Sequence, residues 1–265
     1  MTEDWQELID DFSRRVGKEA AIAQWSLRFV DEEHEMLSVR NDVVQPVRLQ
    51  RDLGAMVTVN EPGGQGYAAT SDLSTEGLLA AARRAADWAR STAERSVSPF
   101  APASLSEEQG EYRSPVGRGW DSLSRAAKLD LLRQQSSRLH ADPRILEWEA
   151  VLWGARAETR IVNSAGGDLR QHFSFVIPML SASANEGNET QTRTLGAQAT
   201  CQQGGLEVLE TFDFEAAAPR IAEEAIELLG AANCPTETCD LLLAPDQMIL
   251  QIHESIGHPL ELDRI

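Results

Sequence analysis

The chain has 265 residues, 42% of them apolar and 25% charged, the balance of an ordinary globular protein long enough for one large domain or two modest ones. Forty-two acidic against twenty-four basic side chains leave a formal net charge of −18, which repels a phosphate backbone, so nucleic acid is not expected as a partner. No apolar run is long enough to span a membrane, and the acidic, polar start (Met1, Thr2, Glu3, Asp4) has neither the basic nor the apolar part of a secretory signal, so the chain is expected in the cytoplasm.

Thr2 is the expected N-cap of a first helix, on which Trp5, Leu8, Ile9, Phe12 and Val16 recur at helical spacing and which Gly17 closes. Between Ala21 and Thr70 the period changes to two. Short strands are expected at 25–30, 36–39, 43–49 and 55–59, with Gly54, Gly63, Gly64 and Gly66 punctuating an antiparallel meander. Ser74 then opens an alanine-rich helix reaching Ala93. Pro99, Pro102 and Pro115 interrupt the stretch 96–120, which reads as a linker or long surface excursion.

That stretch divides the chain into an N-terminal α+β region, 1–95, and a second α+β region, 121–265. The second opens with a helix from Ser124 to His140, with Leu129, Leu132 and Leu139 on its apolar side. Strand-like runs follow at 145–153, 158–163, 169–183 and 194–202, and Asn163 to Gly167 suits a hairpin turn. A helix is expected from Phe214 to Leu229, where Pro219 is tolerable only in the first turn. Asp240 to Ala244, with three consecutive leucines, reads as a short buried strand. The order of elements predicts an α+β fold, mainly antiparallel sheet with packed helices. Cys201, Cys234 and Cys239 are odd in number and wrongly spaced for a zinc ribbon, and are expected as small buried hydrophobes.

The chemistry concentrates near the end. Asp246 is the expected N-cap of a helix with Met248, Ile249 and Ile252 on one stripe, and this helix carries His253, Glu254 and His258. Two imidazoles that bind an ion and a carboxylate that takes a proton from water are the raw material of a zinc hydrolase. The spacing is unusual. Histidines four apart lie about 40° from one another around an α-helix, whereas five apart is roughly 140°. A π-type turn would realign them, or the helix could end near Gly257 with His258 beyond it. Pro259 favours the second, because the residue before proline is pushed out of the helical region. The plain alternative is a capped helix end with one satisfied histidine and one surface histidine.

The segment from Ala244 to Asp263 resembles the TldD/PmbA family of metallopeptidases, once labelled modulators of DNA gyrase, whose members carry a strand, a turn, a helix with HExxxH and a Leu-Glu-x-Asp stretch. Gly66 to Thr70, the turn at Asn163 and Glu223 to Leu229 are similar to the family as well. The resemblance implies the TldD-type branch and an N-terminal-domain-like fold. It makes His253 and His258 zinc ligands, Glu254 the general base, and Glu261 and Asp263 supporting acceptors. It implies unfolded or flexible peptides as substrate, an extended one being able to add to a sheet edge. It also implies a homodimer or a heterodimer with a PmbA-type subunit. The family's third ligand is a cysteine from a C-terminal domain, which none of the three cysteines here matches, so a truncated chain of low activity is expected. The competing readings are a non-catalytic peptide-binding or assembly module, and a DNA-associated regulator, against which the charge weighs.

Overall fold

The computed structural model describes residues 5–93, 95, 105–196 and 200–261. Thr2, Pro99, Pro102 and Asp263 lie outside the described residues. In chain order the elements are α1 (Gln6–Glu19), β1 (Gln24–Arg40), β2 (Val43–Val44), β3 (Arg48–Glu61), β4 (Gly64–Thr70), α2 (Thr75–Ala93), β5 (Gln109–Arg113), α3 (Arg125–Leu139), β6 (Ile145–Asn163), β7 (Asp168–Glu186), β8 (Glu189–Leu195), β9 (Gln202–Gln203), α4 (Val208–Thr211), α5 (Phe214–Leu229) and α6 (Pro245–Ile252). The nine strands form one sheet in the order β4-β3-β1-β6-β7-β5, with β2 on β1 and both β8 and β9 on β7. Every pairing is antiparallel except that of β5 with β7, so the fold is α+β with a mainly antiparallel sheet.

Alternation along β1 explains how one face of the sheet holds two cores. Trp25, Leu27 and Phe29 pack with Phe12 and Val16 of α1 and Leu78 and Ala82 of α2. Leu37 and Val39, further along the same face, pack with Leu132 and Leu139 of α3 and Phe214 and Ile221 of α5. Between the two cores the same positions are Asp31, Glu33 and Glu35. The charged run was expected to separate two short strands, but β1 runs through it. Its backbone is paired to β3 and β6 on both sides, and that ladder does not depend on what the side chains are. α2 can lie directly on β4 because Gly66 has no side chain: a Cβ there would sit 2.1 Å from the carbonyl oxygen of Ala85.

Other boundaries moved for local reasons. α1 continues through Gly17 to Glu19, and the chain turns instead at Ala21, whose φ is 54°. Ser74 and Ser124 start α2 and α3 as expected, their hydroxyls accepting from the N–H of Gly77 and Ala127. β5 forms inside the stretch expected to be irregular, and the strand expected over 194–202 instead occupies Glu189–Leu195.

Pro219 lies beyond the first turn of α5, where it removes the N–H that would bond to the carbonyl of Glu215. The Arg138 guanidinium of α3 donates to that carbonyl at 2.5 Å, so a neighbouring helix supplies the missing donor.

Residues 231–244 adopt no regular structure and are exposed. Leu242 is 97% exposed, so the expected buried strand at 240–244 does not form. Among the described residues no strand pairs with it, and an isolated strand leaves its backbone groups to water. The three cysteines are exposed rather than buried, Cys234 and Cys239 because they lie on this same segment. Among the described residues no helix is long and apolar enough to cross a membrane.

Candidate metal centre

α6 begins two residues earlier than its sequence suggests. Ala244, extended at φ −66° and ψ 157°, occupies the N-cap position expected of Asp246, and Pro245 follows at the first helical position, where its missing N–H has no intrahelical role. At Ile252 the helix passes into a single π turn, His253–Gly257, and then into a short 3-10 turn, His258–Leu260.

This settles how the five-residue step is accommodated. The N–H of His258 donates to the carbonyl of His253, an i to i+5 bond, and the wider turn brings the later residue over the earlier one. The alternative, in which the helix ends near Gly257 and leaves His258 beyond it, is not adopted. His258 keeps helical angles, φ −61° and ψ −41°, in spite of Pro259. Pro259 is accommodated because it sits in the first positions of the 3-10 turn.

The two imidazole rings lie 4.3 Å apart between centroids, inclined by 68°. One ligand atom from each of His253, Glu254 and His258 can be chosen so that all three lie within 4.8 Å of one another, which is close enough for one ion. Nε2 of His258 is 3.9 Å from a Glu254 carboxylate oxygen. Nδ1 of His258 is 2.7 Å from the carboxylate of Glu261. An ionised carboxylate accepts, so this contact suits a proton on Nδ1 and turns Nε2 toward Glu254. None of the residues from His253 to Leu260 is buried, and His258 is 31% exposed. Two imidazoles and a carboxylate suit a divalent ion of the zinc type. None of the three cysteines joins the group.

A second polar cluster, which the sequence reading passed over, occupies the gap between the two cores. Glu35 accepts from Trp120 Nε1 at 2.6 Å, Arg125 Nε at 2.6 Å and Lys128 Nζ at 3.0 Å. Burial pushes its carboxyl up, but these three donors outweigh that and hold it below the usual carboxylate range. Lys128 is itself buried, 3.8 Å from the centre of the Trp120 ring. The Trp120 ring lies over Gly154, where a Cβ would come within 2.6 Å of it. Glu35, Trp120, Arg125 and Gly154 border a cavity of about 430 Å³ together with Glu33, Arg51 and Arg156. The signal in the sequence was the charged run from Asp31 to Glu35 inside an otherwise alternating strand.

Glu207 ties down the loop that precedes Trp120. Its carboxylate accepts from the N–H groups of Gly117, Arg118 and Gly205 at 2.9, 2.7 and 2.7 Å. Burial raises its pKa, but the backbone donors prevail and bring it to about 2.

Comparison with known proteins gives a consistent picture. Residues 25–89 match the family model described as PmbA/TldA metallopeptidase domain 1, and residues 118–232 match that of the central domain. A metalloprotease of Methanothermobacter thermautotrophicus is 31% identical over 109 residues, which is 41% of this chain and 23% of that protein. A protein of Thermotoga maritima described as a modulator of a DNA gyrase superposes with a TM-score of 0.63 at 18% identity, over 87% of this chain and 50% of its own. TldE of Thermococcus kodakarensis gives 0.58 at 14% identity, over 84% and 47%. The chain thus spans about half the length of these solved structures.

Proposed function

Because this chain belongs to the PmbA/TldD metallopeptidase family, we propose that it contributes the metal-binding helix of a zinc-dependent peptidase acting on unfolded or flexible peptides. The observation that carries this reading is the π turn that brings His258 beside His253, with Glu254 next to them. His253 and His258 hold the ion through ring nitrogens, Nε2 in the case of His258. When bound, a divalent ion supplies a Lewis acid that polarises a peptide carbonyl and makes water a better proton donor. Glu254 is the proton carrier: its carboxylate takes the proton of the attacking water and returns it to the departing amine. Glu261 orients His258, and the family resemblance alone makes Asp263 a further acceptor.

Two histidines leave the ion short of the three protein ligands usual at a catalytic zinc site, so a further ligand comes from outside the described residues. We assign the protein to the cytoplasm, and its assembly to a homodimer or a heterodimer with a PmbA-type subunit. The test is cleavage of an unstructured peptide by zinc-loaded protein, compared with Glu254→Gln. The variant should retain zinc and cleave at least about 100-fold more slowly. Cleavage at the parent's rate would remove Glu254 from the mechanism. Full peptide binding with no metal retained by either protein would point to the non-catalytic module.

A further inference from the structure

Both cores, and the helices α1, α2, α3 and α5 that build them, lie on one face of the sheet. The strand registers define the opposite face row by row, because directly paired residues of antiparallel strands point the same way. Its rows run from Met56, Arg28, Ile161 and Leu169 at one end to Arg40, Glu149 and Ser181 at the other. On this face neither the outward positions of β6 from Val151 to Ile161 nor those of β7 from Leu169 to Met179 hold a charged residue, in a chain that is 25% charged. Trp153, Phe173 and Phe175 stand in the middle of this stretch. The two phenylalanine rings are 6.1 Å apart, and Tyr112 of β5 extends the line 5.5 Å from Phe173.

β7 is apolar on its other face too, so Phe175 to Leu180 is an unbroken apolar run. An antiparallel strand with one face in water alternates instead, and an unbroken run belongs to a strand covered on both sides. The chain leaving β8 crosses the Met179 corner, where a Cβ on Gly196 would come within 2.7 Å of Met179. Trp153, Phe173 and Phe175 remain part-exposed, and Tyr112 is 43% exposed.

Charge selects what covers this face. Each chain carries −18, so two copies repel over most of their surface. Here, however, Arg28, Arg40 and Arg48 balance Glu32, Asp52 and Glu149, and all six flank the apolar stretch without interrupting it. A partner of either sign finds no opposite excess to meet. A second copy of the same face meets it without net repulsion and with both signs at the rim. Size agrees as well. The seven rows from Arg28 to Arg40, taken across β3, β1, β6 and β7 at about 3.4 Å per residue and about 4.8 Å per strand, cover roughly 800 Å². Each partner in a standard interface buries about that much.

We propose that two copies of this chain pack these faces together about a two-fold axis, sheet on sheet, with Trp153, Phe173 and Phe175 at the centre of the contact. Sheets packed this way interdigitate their side chains at a spacing of about 10 Å, and the helices of both copies then face outward. This rests on the homodimer assigned above and gives it a surface. The contact needs no metal, so loss of zinc or of cleavage leaves it standing, and failure to dimerise leaves the metal helix untouched.

The test is sedimentation velocity of the full chain in chelator, over a concentration series at low and high salt. It should show a monomer–dimer equilibrium that tightens with salt, because screening relieves the repulsion between two chains of −18. Phe173→Glu should weaken the dimer about 30-fold or more, the loss expected of a central aromatic. Tyr112→Glu alters an exposed side chain at the border of the patch, and should weaken it several-fold with the circular dichroism spectrum unchanged. If Phe173→Glu fails to fold, Tyr112→Glu decides. Leu228→Glu, on α5 at the opposite side of the sheet, should leave the dimer as it is. A chain that stays monomeric throughout, a dimer that survives the substitutions at Phe173 and Tyr112, or a dimer loosened by salt would each overturn the proposal.

Discussion

The N–H of His258 donates to the carbonyl of His253, five residues back, inside a helix that is α-helical up to Ile252. That one bond converts a spacing that would aim the imidazoles roughly 140° apart into one that brings them edge to face, 4.3 Å between centroids. A single π turn holds one more residue than an α turn, so the chain keeps its helical path while the second histidine swings over the first. The site is therefore written into backbone hydrogen bonding rather than into side-chain reach.

Glu261 should matter to the metal although it need not touch it. Its carboxylate sits against Nδ1 of His258 and leaves Nε2 turned toward Glu254. Glu261→Gln should weaken zinc binding by about 10- to 100-fold, read by competition with a chelating dye, while His253→Ala and His258→Ala remove binding at the same concentrations. Unchanged affinity in Glu261→Gln would mean that the contact does not orient the ring.

How much of this was legible before folding depends on what each signal measures. Caps and turns are local, and Ser124 and the turn at Asn163 were read correctly because their side chains bond to backbone three or four residues away. The interruption of β1 by Asp31 to Glu35 was misread because alternation reports burial, whereas the strand is continued by partners more than a hundred residues distant in β6. The carboxylates there are legible only once Arg51, Arg125, Lys128 and Trp120 are brought to them. The metal helix stood at the limit. HExxxH singled out His253, Glu254 and His258, but the choice between a π turn and a helix end is made by the backbone bond from His258 to His253, which side-chain spacing does not show. Leu241 to Leu243 read as buried because three leucines usually are, and no rule of composition says what must cover them.

Glu207 should give stability a pH dependence of known sign. Its folded pKa of about 2 lies below the ordinary glutamate value of 4.5, so its contribution is complete above 4.5 and is lost as pH falls toward 2. Urea midpoints measured at pH 5 and pH 3 should fall with pH in the parent, and fall less in Glu207→Gln, which already lacks the charge. An identical slope in the two proteins would show that the three backbone donors do not distinguish the carboxylate from the acid.

Gln135 of α3 is fully buried, and among the described residues neither atom of its amide has a hydrogen-bond partner. Its neighbours along the buried side of the helix, Leu132 and Leu139, belong to the larger core. Replacing it by methionine, similar in length and without the amide, should stabilise the protein by about 1–3 kcal/mol. Thermal unfolding should show a rise of a few degrees, and a lower midpoint would show that the amide is satisfied by buried water.

Arg138 and Glu215 supply a prediction that a double-mutant cycle can isolate. Pro219 cannot donate to the Glu215 carbonyl, and the Arg138 side chain does so instead. Arg138→Ala should therefore destabilise the protein by about 1 kcal/mol, the usual net worth of one such bond. Pro219→Ala restores an N–H at the helical position, so in that background the carbonyl has a partner of its own and the loss on Arg138→Ala should shrink toward zero. The coupling between the two positions, read from chemical denaturation of the four proteins, is then the energy of the side chain acting as a substitute for backbone. Additive effects of the two substitutions would mean that the carbonyl is satisfied by water once Arg138 is gone, and that α5 tolerates its proline without help from α3.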